Sequence, residues 1–262
     1  MQSKPFILFC ILISISCNTN TASSSQWDNK LENLPVSAYN ELNPFKKINE
    51  IPLPAGFTRL KKNDRSFAEW LLNLPLKRNK TVYQFDGKVK INQTAQYAVL
   101  DISVGNKDLQ QCADAVIRLR AEYLFSIQKY EAIHFTDNKG IIYQFKTPFT
   151  AGHLQQYLQV VFGMCGTASL SKQLKQISMN EMQPGDVIIR GGFPGHAVMV
   201  MDVASSLSGE KVYLLAQSYM PAQDIHLLVN PTDKVTPWYR VSENALIQTP
   251  EYTFRKGELK RW

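Results

Sequence analysis

A cysteine and a histidine, far apart in sequence, are the two residues of this chain best suited to nucleophilic chemistry together. The histidine, His196, lies in the stretch QPGDVIIRGGFPGHAVMVMDV (residues 183–203), directly after Pro194-Gly195 and at the start of an apolar segment. Folding alone does not require a histidine there. On a rigid strand, its imidazole can act as a general base for a thiol that lies close in space.

The cysteine, Cys112, lies in the segment with the clearest helical pattern, where one face carries Leu109, Cys112, Ala113, Val116, Leu119 and Tyr123. Asp108 is the expected N-cap, with Gln111 in the reciprocal position. Cys112 then lies in the first turn, where free backbone N–H groups and the helix dipole favour a thiolate. The alternative is a small buried side chain with a packing role only, and the helix by itself favours that alternative.

A third residue is needed to orient the imidazole, and Gln217 is the candidate. It follows the apolar strand Val212–Ala216, which the turn at Ser208-Gly209 pairs with the His196 strand. An amide is uncharged and stabilises an imidazolium less than a carboxylate does, which indicates either a weaker enzyme or a binding site. Alternatively, Gln217 is only a polar residue at a strand end.

Small residues lie next to His196 and Gln217 in the sequence. Gly195 and Ala197 leave little side-chain bulk around His196, so a peptide can approach the imidazole. We therefore predict that Gly195 and Ser218 contact the substrate.

The order of the predicted elements indicates an α+β fold. Helical segments come first, including one after Ser66 with a capping-box Glu69, and then the pattern changes to successive strands. We expect residues 187–217 to form consecutive antiparallel strands with the Cys112 helix packed against them. Residues 51–262 are predicted to be a single domain.

The N-terminal 17 residues have the pattern of a secretion signal. Met1–Lys4 carries one positive side chain, Pro5–Ser16 is almost wholly apolar, and Ser14-Ile15-Ser16-Cys17 resembles a bacterial lipobox. We expect an exported protein, anchored in a membrane by a lipid on Cys17 and facing the periplasm or the exterior. Residues 18–50 are the predicted tether and lead-in. The alternative is an ordinary signal peptide in which Cys17 is incidental.

The charge distribution, the histidine spacing and the remaining cysteines indicate whether the chain binds nucleic acid or metal or forms a disulfide. The net charge of +7 is spread along the chain apart from a basic C-terminal stretch, and RNA-binding and zinc-site patterns are absent from the sequence. We predict no nucleic-acid partner, no metal and no cofactor. His134, His153 and His226 do not have the spacing of a ligand set. Cys112 and Cys165 remain after signal removal and could form a disulfide.

Several motifs together resemble the NlpC-type branch of the papain-like cysteine peptidases and amidases: a cysteine at a helix start, then PGDVII, then GHAVMVMDV, then a strand that ends in a polar residue. The resemblance covers about residues 105–220. It implies a papain-like fold with Cys112 as nucleophile, His196 as base and Gln217 as orienting residue. Gln111-Cys112-Ala113-Asp114 departs from the family's usual acidic or polar residue, Cys, Ser and small residue. The stretches DLQQCADAVIRLRAEYL and LLAQSYMPAQDIH are also similar to an uncharacterised family of secreted bacterial proteins.

Three hypotheses follow. The first is a cell-envelope cysteine hydrolase, a peptidase or amidase, that acts on a peptide-type bond in cell-wall peptide. The second is a non-catalytic envelope lipoprotein whose papain-like scaffold binds a wall fragment or a protein partner. The third is a structural protein with a Cys112–Cys165 disulfide. An enzyme needs a reduced Cys112 close to His196, whereas a binding protein tolerates its loss.

Overall fold

Helices precede most of the strands, as the sequence pattern predicts. The computed structural model describes residues 42–232, 237–242 and 245–262. The predicted signal peptide, the lipidation site Cys17 and the tether as far as residue 41 lie outside the described residues. Four α-helices are described: α1 (Phe67–Leu72), α2 (Cys112–Ser126), α3 (Ala151–Met164) and α4 (Thr167–Gln173).

The strands of the described part are short apart from two in the centre of the sheet. They are β1 (Phe57–Arg59), β2 (Gln96–Val99), β3 (His134–Thr136), β4 (Ile142–Gln144), β5 (Lys175–Gln176), β6 (Val187–Arg190), β7 (His196–Ser206), β8 (Lys211–Gln217), β9 (His226–Leu228), β10 (Tyr239–Arg240), β11 (Leu246–Gln248), β12 (Thr253–Arg255) and β13 (Leu259–Arg261). Short 3₁₀ helices are Ile48–Glu50, Tyr130–Ala132, Met179–Glu181 and Lys256–Glu258.

One antiparallel sheet organises the described residues. Its order is β2-β9-β8-β7-β6-β13-β5, with β1 paired to the end of β7 and β10 paired to the start of β8. The predicted antiparallel run over residues 187–217 is confirmed, with β7 paired to β6 on one side and to β8 on the other. Two separate hairpins, β3-β4 and β11-β12, complete the strands.

Both faces of the central strands are buried, which explains why β7 has so few polar residues. Ala197 and Met199 lie in the core that the helices form with the sheet, whereas Val198 and Val200 lie in a second core. Successive side chains of a strand point to opposite faces, so this alternation assigns His196 to the face of Val198. The second core is covered by the β11-β12 hairpin, through residues such as Phe254.

Helix α2 begins later than the sequence pattern suggested. Gln111 has extended dihedrals and is the N-cap, and its backbone N–H donates to the Asp114 carboxylate at 3.0 Å. Cys112 is therefore the first helical residue. The expected N-cap, Asp108, lies outside the helix, and its Oδ1 accepts hydrogen bonds from the Ala222 N–H at 2.7 Å and the Gln111 amide at 3.1 Å. Asp108 thus joins the helix start to the loop after β8.

The Ser66 cap of α1 is confirmed, because its Oγ accepts from the Glu69 N–H at 3.2 Å. Residues 42–50, expected in the lead-in, are part of the folded body. Ile48 is fully buried, and Lys47 forms a β-bridge with Pro75. None of the helices in the described part of the chain is both long and apolar enough to cross a bilayer.

The basic C-terminal stretch is partly built into the sheet as β13. Arg261 donates to the Asp186 carboxylate at 2.6 Å and 2.9 Å. Lys260 donates to the Ser171 carbonyl at 2.6 Å. These contacts join β13 to the residue before β6 and to α4.

Candidate active site

The first turn of α2, the start of β7 and the end of β8 meet at one end of the sheet. The ladder between β7 and β8 stops at the pair Met199–Ala216, so the two strands separate beyond it. The Ser218 Oγ lies 2.9 Å from the Gln110 carbonyl oxygen, which holds the segment before Cys112 against the end of β8. On the other strand, the backbone N–H of Ala197 lowers the pKa of the Cys112 thiol, which places the sulfur near the start of β7.

His196 and Cys112 approach this point from opposite faces of β7. Helix α2 packs on the face of Ala197, whereas His196 shares the face of Val198. Cys112 is the first residue of α2 and His196 is the first residue of β7, so each side chain lies at the end of its element. Both residues interact with Tyr219. The Tyr219 ring lies 4.8 Å from the His196 imidazole. Burial raises the pKa of the Tyr219 hydroxyl, and Glu251 and Cys112 raise it further.

The imidazole of His196 is fixed on several sides. Its Nε2 lies 2.8 Å from Gln217 Oε1, so the hydrogen bond predicted for Gln217 is present. Aromatic rings pack around the remaining surface, with centroid separations of 5.0 Å for Tyr252 and 5.7 Å for Phe254. With Nε2 engaged, Nδ1 is the nitrogen left for proton exchange with a thiol.

A carboxylate lies behind Gln217. The Gln217 Nε2 donates to Glu251 Oε2 at 2.7 Å, and Lys90 Nζ donates to the same oxygen at 2.6 Å. Asn92 donates to the other carboxylate oxygen at 3.1 Å. Glu251, Lys90 and Asn92 were missed by the sequence reasoning, because no local pattern links residues so far apart in the chain.

His226 is the other residue whose role the sequence did not indicate. It lies opposite Gln217 in the β8-β9 ladder, and the Gln217 Nε2 is 3.4 Å from its Nε2. Its Nδ1 is 2.9 Å from the Asp224 carbonyl oxygen. Complete burial lowers the pKa of His226 to about 3, so its ring is neutral at physiological pH.

The thiol and the imidazole are both neutral at pH 7. Burial and, to a smaller extent, Asp114 raise the pKa of Cys112 to about 11, although backbone N–H groups lower it. Burial therefore outweighs the stabilisation of a thiolate that was expected from the helix N-terminus. Only 7% of Cys112 is exposed, and the carboxylate of Asp114 occupies the same turn. Burial also lowers the pKa of His196 to about 4.

The site residues lie within the part of the chain that a protein family shares. The family described as "Domain of unknown function (4846)" matches in two segments, residues 48–153 and 146–261. The chain belongs to this family. Cys112 lies in the first segment, and His196, Gln217 and Glu251 lie in the second. No curated protein and no solved structure gives a significant match to the chain.

In this family member, Gly195 is required by packing inside the molecule. A Cβ at this position would lie 2.3 Å from Thr167 Oγ1 and 2.7 Å from the backbone oxygens of Arg190 and Gly192. The missing side chain lets the loop before His196 fold tightly against the start of α4. A contact between Gly195 and substrate stays a prediction.

Ser218 holds the segment before Cys112 in place. It is fully buried, and its Oγ lies within hydrogen-bond distance of the carbonyl oxygens of Gln110 and Gln223. A contact between Ser218 and substrate stays a prediction.

Cys112 and Cys165 are both free thiols in the structure, so the disulfide hypothesis is not supported. Among the described residues, no group of three or more His, Cys, Asp or Glu side chains could hold a metal ion. A cavity of about 740 Å³ lies elsewhere, lined by residues that include Tyr213, Tyr239 and Leu246, and neither Cys112 nor His196 lines it.

Proposed function

We propose that the chain is a cysteine hydrolase, a peptidase or amidase with a papain-like, NlpC-type arrangement, that acts on a peptide-type bond. The observation that carries the proposal is the fixed imidazole of His196. Its Nε2 is held by Gln217 at 2.8 Å, and the N–H of the adjacent Ala197 lowers the pKa of the Cys112 thiol. We assign the roles of nucleophile, base and orienting residue to Cys112, His196 and Gln217.

Because the resting pair is neutral, the thiol loses its proton as it attacks. The His196 Nδ1 takes the proton while the sulfur bonds to the carbonyl carbon. The backbone N–H of Cys112, which has no partner within the helix at this first position, stabilises the oxyanion. His196 then delivers the proton to the leaving amine. Water, activated by the same imidazole, hydrolyses the thioester and restores the thiol.

The proposed substrate is cell-wall peptide, and the proposed location is the bacterial envelope. Both follow from the N-terminal pattern that ends at Cys17, with a lipid on that cysteine holding the protein in a membrane. The catalytic body then faces the periplasm or the exterior, where peptide cross-links of the wall are accessible.

A non-catalytic envelope lipoprotein that binds a wall fragment or protein partner is the second candidate. Closure of the site favours it, because Cys112 and His196 are only 7% and 2% exposed. As an enzyme, the protein must displace covering groups such as Tyr219 and Tyr252 before a carbonyl reaches the sulfur.

The Cys112→Ala variant separates the two candidates. Alanine suits a first helical position and removes only the sulfur, so the fold should persist, as thermal unfolding will check. Cys165→Ala is the matched control, since Cys165 is the other buried thiol and burial also raises its pKa to about 11. We expect wild type and Cys165→Ala to release peptides from purified cell wall, measured by mass spectrometry.

We expect folded Cys112→Ala to release none. Turnover by that variant would show that Cys112 is not the nucleophile. If wild type and Cys112→Ala bind wall fragments equally well and neither releases peptide, the protein is a binding module.

A further inference from the structure

The orientation of the Gln217 amide is decided by its neighbours. Its oxygen faces the His196 Nε2 at 2.8 Å, and its nitrogen faces Glu251 at 2.7 Å and the His226 Nε2 at 3.4 Å. An amide rotated by half a turn would exchange these contacts. Which orientation is stable therefore depends on whether each neighbour donates or accepts.

Glu251 and His226 both require a donor. An ionised carboxylate only accepts hydrogen bonds. The Asp224 carbonyl oxygen, 2.9 Å from the His226 Nδ1, also only accepts, so that Nδ1 carries the proton of the neutral ring. The His226 Nε2 is then an acceptor. The Gln217 nitrogen must face these two groups, and its oxygen must face His196.

This orientation fixes the tautomer of His196. An amide oxygen accepts, so the His196 Nε2 must donate, and a neutral imidazole has only one N–H. The Nδ1 is consequently unprotonated and has a free lone pair. A neutral ring with the proton on Nε2 is the form that can take a proton from a thiol.

Glu251 is itself held firmly. Its side chain is 13% exposed, and Lys90, 6% exposed, binds it at 2.6 Å. Asn92 donates to its second oxygen. The groups that face His196 from the surrounding elements are Gln217, Tyr219, Tyr252 and Phe254. Among these contacts, only the one through Gln217 determines which nitrogen is protonated.

We propose that Glu251 is a positioning residue that, together with His226, locks the Gln217 amide and thereby the Nε2–H tautomer of His196. The catalytic value of this lock rests on the proposed function, whereas the tautomer is a property of the resting protein. When His196 becomes an imidazolium, the Glu251 carboxylate also stabilises it through the polarised amide, and Lys90 offsets part of that effect.

The test is long-range ¹H–¹⁵N NMR of the imidazole nitrogens in ¹⁵N-labelled full-length protein at pH 7. We expect a protonated Nε2 and an unprotonated Nδ1 at His196, and the opposite pattern at His226. In Glu251→Gln, residue 251 offers both a donor and an acceptor to Gln217, so only the 3.4 Å contact with His226 still favours the original amide orientation. The preference is weakened, and His196 should show a measurable share of the second tautomer.

Glu258→Gln is the matched control. Glu258 is 19% exposed and binds Arg190 at 2.6 Å, and the Arg190 guanidinium lies over Tyr252. The Glu258→Gln variant loses an ion pair near the site but leaves the contacts of Gln217 intact, so His196 should keep its single tautomer. Glu251→Gln leaves Lys90 buried without its carboxylate, so a Glu251→Gln/Lys90→Met variant is also measured in case the single variant unfolds. It should show the same mixture of tautomers.

A wild-type His196 with its proton on Nδ1 would overturn the proposal. A folded Glu251→Gln variant, or the double variant, with an unchanged His196 spectrum would also overturn it. A failure of the hydrolase proposal can be distinguished from these results. In that case the wild type and the variants give the expected NMR spectra, but the wild type releases no peptide from cell wall. In an active protein, Glu251→Gln should lower kcat about tenfold with little change in KM, and Glu258→Gln should not.

Discussion

The buried Cys112 thiol should react with alkylating reagents much more slowly at neutral pH than an ordinary cysteine does. Burial and Asp114 raise its pKa from 9.0 to about 11. This rise in the pKa lowers the thiolate fraction about a hundredfold, so at pH 8 roughly one molecule in a thousand is a thiolate, instead of one in ten. Only the thiolate is alkylated, so the rate follows this fraction.

The measurement is iodoacetamide labelling of Cys112 between pH 7 and pH 10, quantified by mass spectrometry of the modified peptide. We expect the rate to rise about tenfold per pH unit without reaching a plateau. Restricted access lowers every rate by the same factor and leaves this slope unchanged. Cys165 in the same molecule should show the same slope, because burial also raises its pKa to about 11. In denaturant, both thiols should approach a plateau near pH 9.

A plateau below pH 8 at Cys112, with none at Cys165, would refute this reasoning. It would mean that Cys112 is already a thiolate paired with a protonated His196. The proton transfer during attack that is proposed above would then be replaced by a preformed ion pair.

Two further predictions concern the loop before His196 and the N-terminus. Gly195→Ala places a Cβ within 2.7 Å of two backbone oxygens. We therefore expect a displaced His196 and a loss of about 1–3 kcal/mol in unfolding free energy, measured by denaturant titration. The control Gly163→Ala has nothing within 4 Å of its new Cβ and should be neutral or slightly stabilising in the same titration. Equal stability of the two variants would contradict this view of the loop. Mass spectrometry of the mature protein should find a lipid on Cys17, and an unmodified Cys17 or a chain that begins at Met1 would contradict the proposed anchoring.

The strands that carry His196 and Gln217 could be predicted because their signals are local. Apolar runs bounded by Gly, Pro and Asp define β6 and β7, and Ser208-Gly209 marks the turn before β8. The start of α2 was less predictable. Asp is a preferred N-cap by type and Gln is not, but the Asp108 carboxylate accepts from the Ala222 N–H instead, a tertiary contact that no local pattern shows.

The charge state of the site could not be predicted from sequence. A first-turn cysteine suggests a lowered pKa, but burial has the opposite effect, and burial depends on how α2 fits between the ends of β7 and β8. Glu251 and Lys90 were unpredictable for a related reason. They meet only when the chain around the β11-β12 hairpin folds over one face of the sheet. A papain-like fold stays a prediction.

The position of β13 has a consequence for the order in which the sheet can assemble. This strand lies between β6 and β5, although it is synthesised about seventy residues after β6. Until Leu259 and Lys260 arrive opposite Ile188 and Val187, β6 has one open edge with apolar side chains on it. Unpaired edges of this kind are sites of misassociation between nascent or partly folded chains. The sheet therefore depends on β13 to close an edge of β6, whose own residues are synthesised much earlier.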